Sequence, residues 1–170
     1  MSFKKTLTKI VTSISLALLA MPLAGSVVQA DAVNSNVAVP NTQVATVDAK
    51  TQKLDRIVSL AKKQLGKRYV MGATGPNAFD CSGLAMYVYK HAAGKNISRT
   101  TYTQVKQGRY VSLKHLRKGD LLFWGSRTAP YHVGIYIGNG QYIHAANPGQ
   151  GVIKAHLSHY FYPAAAKRIL

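Results

Sequence analysis

Apolar residues change their spacing several times along the 170-residue chain. Ile10 to Leu23 is almost wholly apolar behind Lys4, Lys5 and Lys9, and Val28-Gln29-Ala30 then supplies small side chains suited to a cleavage point. That order predicts a secretory signal peptide over residues 1–30, with an apolar stretch short for a membrane span. An uncleaved N-terminal anchor is the alternative. Residues 31–50 carry Ala, Val, Asn, Thr and Gln with Pro40 and no periodic face, which predicts a flexible spacer. From Thr51 onward Leu54, Ile57, Val58, Ala61 and Leu65 form one helical stripe ending at Gly66. Residues 67–79, broken by Gly72, Gly75 and Pro76, predict a loop. A second stripe, Leu84, Ala85, Val88 and Ala92, closes at Gly94, and Thr100 to Gln107 predicts a short third helix.

After Gly108 the apolar period shortens to that of strands. Leu121 to Trp124 is a continuous buried run behind a Gly119-Asp120 turn, and Tyr131 to Ile137 alternates. Gly138-Asn139-Gly140 predicts a hairpin turn returning through Gln141 to Ala145. Val152 to Leu157 and Ala166 to Leu170 are further strands, separated by a turn around Tyr160 to Pro163. Helices first and a mostly antiparallel sheet afterwards predict an α+β domain over residues 51–170.

Charge narrows the partners. Without the three lysines of the leader, 19 of the 22 basic residues face five aspartates, a net +14 on the remaining 140 residues. An exported protein of that charge is expected to meet a polyanion. With neither a basic helix nor a paired aromatic motif, an anionic cell-wall polymer fits better than nucleic acid. No further membrane span follows residue 30. Charge spread evenly for solubility is the competing explanation.

The one cysteine, Cys81, rules out an intramolecular disulfide and lies where a loop becomes a helix. Asp80 suits the N-cap, and the first helical position is one where unpaired N–H groups favour a thiolate and lower the thiol pKa. Of six histidines, His91 and His115 are expected at the surface. Pairing about Gly138-Asn139-Gly140 sends residues whose numbers sum to roughly 278 opposite one another. His132 then faces a position two from His144, so both rings share one face within reach of each other. A Cys at a helix start with a His on a packed strand makes the nucleophile and general base of a thiol hydrolase, and a second polar group orients the base. No metal or other cofactor is called for, since the histidines lie on strands without a helical pair and there is no Cys cluster.

The segments Tyr69 to Gly72, Asp80-Cys81-Ser82-Gly83-Leu84, Gly119 to Trp124, His132 to Gly138 and Ile143-His144-Ala145 resemble, in order over about residues 52–170, the NlpC-type cell-wall cysteine peptidases. The resemblance implies a papain-like α+β fold and hydrolysis of peptidoglycan stem peptides, typically between γ-D-glutamyl and a diamino acid. By matching position it makes Cys81 the nucleophile, His132 the base, His144 the orienting member and Tyr69 a hydroxyl near the oxyanion. Asp80 and Ser82 match positions that contact substrate. Two departures bear on specificity: Ala73 follows Gly72 where a second glycine is frequent, expected at the cleft floor, and Ser98-Arg99 replaces a frequent Pro-Arg pair. Two further readings stay open, a wall amidase with the same Cys/His machinery and a non-catalytic basic wall-binding protein.

Overall fold

The stripe predicted from Thr51 is the docked half of a longer helix. In a computed structural model, which describes residues 42–170 and their side chains from residue 46, helix α1 runs Thr42–Lys62. The signal peptide and the spacer up to residue 41 lie outside the described residues. Residues 42–50 of the predicted spacer are helical instead. They contain neither Gly nor Pro, so the helix extends outward from its packed end, and residues 46–50 remain exposed. Ile57, Val58 and Ala61 are buried as expected, but Leu65 is exposed. The helix stops at Lys62, and the turn that follows buries Gln64 instead, bonded to the Leu60 carbonyl and to Lys67 Nζ.

Helix α2 runs Cys81–Ala93 with Asp80 as its N-cap and Gly94 in the left-handed conformation behind it. Leu84, Ala85, Val88 and Ala92 are buried on the predicted face. The predicted loop before it is more ordered than its glycines suggest. Strand β1 (Arg68–Tyr69) pairs in parallel with β2 (Ala78–Phe79), setting Tyr69 beside Phe79. The third helix is a single turn, α3 (Thr101–Gln104), capped by Thr100.

The remaining strands are β3 (Arg109–Tyr110), β4 (Leu121–Gly125), β5 (Pro130–Gly138), β6 (Gln141–Ala145), β7 (Val152–His156) and β8 (Ala165–Arg168). They form one six-stranded antiparallel sheet in the order β3-β8-β4-β5-β6-β7. The fold is thus α+β, as expected. Leu121 and Phe123 join the cluster built on α1 and α2, while Leu122 and Trp124 join a second cluster with Tyr136, Tyr142 and Ala166. Covering on both faces explains why β4 is apolar throughout. A buried ion pair from Arg168 to both oxygens of Asp120 holds β8 to the turn before β4.

Candidate active site

The hairpin register is the expected one: Ile135 faces Ile143 and Tyr136 faces Tyr142. His132 and His144 therefore meet, with His132 Nε2 2.7 Å from His144 Nδ1. Gly134 permits that approach, because a Cβ there would come within 2.9 Å of the Tyr142 ring and 3.3 Å of His144 Cβ. Both rings are nearly enclosed, 8% and 6% exposed, and Trp124 packs against each of them. Trp124 in turn stacks on Phe161, with centroids 5.0 Å apart, and donates from its indole nitrogen to the Phe161 carbonyl.

Cys81 opens α2 with its backbone arranged by Asp80. The two carboxylate oxygens take five donors: Gly83 N–H at 2.7 Å, Gly72 N–H at 2.9 Å, Ser82 Oγ at 3.2 Å and two nitrogens of Arg99. Five donors fill the lone-pair sites of one carboxylate. Burial works to raise the Asp80 pKa, but the bonds from Arg99, Gly83 and Gly72 outweigh it and hold the carboxyl below its usual range. Gly83 is required here because a Cβ would strike the Ala73 carbonyl, which crosses the first turn of the helix. The residue after Gly72 thus acts through its backbone over α2. Gly72, rather than Ala73, lines the cleft.

Two cavities meet at the thiol. One, of about 510 Å³, holds Cys81, His132, His144 and Tyr69 together with Tyr142, Gln150 and Phe161. The other, of about 500 Å³, holds Cys81 and Tyr69 again with Asp80, Ser82 and Arg99. All six side chains singled out from the sequence therefore line one bipartite cleft. Sequence reasoning missed Arg99 as a site residue, noting it only as half of a dipeptide. Its partner lies 19 positions away, and the signal was the unpaired carboxylate before Cys81.

The electrostatics correct one expectation. Burial pushes the Cys81 thiol up from its ordinary value; amides of Val133, Ser82 and Cys81 pull it down, and the Asp80 carboxylate pushes it up again. Desolvation and a neighbouring anion outweigh the helix start. Burial, helped by His144, lowers His132 to about 3, and burial lowers His144 to about 4. At neutral pH the resting groups are a thiol and two neutral imidazoles. Since His132 Nε2 is engaged by His144, Nδ1 is the nitrogen left for a proton from the cleft. If His132 accepts there, its Nε2–H donates to His144 Nδ1, and the His144 proton sits on Nε2, a buried atom without a hydrogen-bond partner among the described residues.

The profile of the NlpC/P60 family matches residues 66–169. Protein P54 of Enterococcus faecium is 47% identical over 96 residues, 56% of this chain and 19% of that protein. A probable endopeptidase of Corynebacterium glutamicum is 41% identical over 121 residues, 66% of this chain and 56% of that protein. The chain thus spans about a fifth and about half the length of these relatives. The crystal structure of the NlpC/p60 domain of the peptidoglycan hydrolase SagA superposes with a TM-score of 0.64 at 42% identity, covering 68% of this chain and 97% of that one. With the family profile spanning the site and the fold matching over nearly all of a solved domain, this chain belongs to the NlpC/P60 family.

Proposed function

We propose that the chain is a secreted, wall-associated cysteine peptidase that hydrolyses peptidoglycan stem peptides between γ-D-glutamyl and a diamino acid. The observation that carries this reading is the pairing of His132 with His144 at 2.7 Å on the wall of the cavity that also holds Cys81.

As Cys81 Sγ attacks the scissile carbonyl, its proton passes to His132 Nδ1. Because the resting thiol is neutral, transfer accompanies attack instead of preceding it. His144 holds the ring through Nε2 and fixes its tautomer. The Cys81 amide and the Tyr69 hydroxyl serve the oxyanion. In the resting cleft that hydroxyl donates at 3.7 Å to Met71 Sδ, a weak acceptor readily given up. Collapse of the tetrahedral intermediate expels the amine, which takes the proton from His132. Water, giving a proton to His132, then hydrolyses the thioester, so that the C–S bond breaks, the acid leaves and the proton returns to Cys81 Sγ. Arg99 presents its remaining N–H groups to the substrate, Ser82 is held between Arg99 and the carboxylate it donates to, and Asp80 acts mainly through the Arg99 it orients.

Mature protein and its Cys81→Ala variant, each incubated with purified muropeptides, test the reading. Wild type should yield masses cut within the stem peptide, and the variant none, with a thermal transition little changed. Lysis retained by the variant would refute the thiol mechanism. Release of whole stem peptide from the glycan would show the amidase cut instead.

A further inference from the structure

The two limbs of the cleft differ in what they can bind. Tyr69, Cys81 and Tyr131 belong to both, but His132 lines only one limb and Asp80, Ser82 and Arg99 only the other. In thiol hydrolysis the leaving amine takes its proton from the base. The amine must therefore lie in the limb walled by His132, and the acyl half in the limb with Arg99. This orientation rests on the function proposed above.

The leaving-group limb has no acidic side chain and no Lys or Arg. Ala146, Ile153, Ala155 and Phe161 supply apolar wall, and Gln150 supplies its exposed amide. That amide has a fixed orientation. Asn147 Oδ1 accepts from the Gly149 and Gln150 amides at 3.0 and 3.1 Å, so Asn147 Nδ2 is the end turned to Gln150 Oε1, at 2.7 Å. The acceptor end of Gln150 is thereby engaged, and Nε2 is its free end. The limb offers donors and apolar surface to an incoming side chain, with no counter-charge.

We infer that Gln150 is a specificity residue for the leaving group, selecting a diamino acid whose second amine is acylated over one whose second amine is free. A free ammonium would shed water against a wall with no carboxylate and meet the N–H groups of Gln150 head-on. Acylation removes the charge and adds a carbonyl that Gln150 Nε2 can donate to. In chemical terms the limb fits a stem peptide already cross-linked through its side-chain amine.

Two soluble stem peptides, identical except that the second amine is free or N-acetylated, would be compared by kcat/KM on wild type, Gln150→Ala and Gln150→Glu. Wild type should favour the acetylated peptide about tenfold. Gln150→Ala should lose severalfold on that peptide, mainly in KM, and little on the free amine. Gln150→Glu keeps an acceptor for Asn147 while adding a carboxylate, and should shift the ratio about tenfold toward the free amine, equivalent to about 1.4 kcal/mol. A wild-type preference for the free amine, or a ratio unmoved across the three proteins, would overturn the assignment while leaving the peptidase reading intact. No cleavage of either peptide by wild type would overturn both.

Discussion

Acidification should weaken this fold through two buried rings. In an unfolded chain His132 and His144 titrate near 6.5; in the native state burial, with help from His144, lowers His132 to about 3, and burial lowers His144 to about 4. Between those values the unfolded chain binds a proton at each ring and the native state does not, so stability falls as pH falls. Integrated from pH 7 to pH 5, the loss is about 2 kcal/mol per histidine and roughly 4 for the pair. That is a large share of the ~5–15 kcal/mol that holds a domain together. Asp80 does not confuse the window: its stabilising contribution is fully present above its unfolded value of 3.8 and is lost only below it, as pH falls toward the lower native value. Urea titrations at pH 7, 6 and 5 read the effect, with Trp124, the single tryptophan, as the fluorophore. Wild type should show the full loss, His132→Asn and His144→Asn about half each, and the double variant little. Equal losses in wild type and the double variant would refute the neutral buried pair.

Two predictions concern the thiol and the surface. Cys81 has a pKa raised above 9.0, so its alkylation by iodoacetamide without substrate should keep accelerating beyond pH 9; a plateau by neutral pH would instead mark a resting thiolate–imidazolium pair. Binding to insoluble wall should fall severalfold when salt rises from low levels toward 0.1 M, where the Debye length is about 10 Å, and equally in Cys81→Ala; binding that ignores salt would show that charge is not the anchor.

What the sequence made legible is what short-range rules determine. The Cys81 helix could be read from its N-cap, apolar face and terminal glycine, all within 15 residues. The histidine pair could be read because a Gly-Asn-Gly turn sets the hairpin register, and register sets which side chains meet. Features that depend on distant packing were hidden. Leu65 continues the helical stripe in one dimension, yet the chain turns before reaching it. The thiol shift follows local logic only until the burial of Cys81 and the Asp80 charge are counted. Tyr69 is set beside the α2 start by two-residue strands too short for any periodicity to reveal. Gln150 is polar and exposed, and only the shape of the β6–β7 connection shows which end of its amide is free.

The place of β8 in the sheet has a consequence for how the domain comes into being. The strand sequence builds β4, β5, β6 and β7 in order, but β8, the last of the described strands, inserts between β3 and β4. A chain emerging from the ribosome presents Cys81 first and the two histidines next, while β4 still lacks its second neighbour and Asp120 its arginine. The pairing that closes the sheet spans 48 residues of chain between Asp120 and Arg168, so it cannot form until synthesis has passed that point. The topology thereby works as a timer: the cleft that holds Cys81 and the two histidines lacks its completed sheet until nearly the whole domain has been delivered.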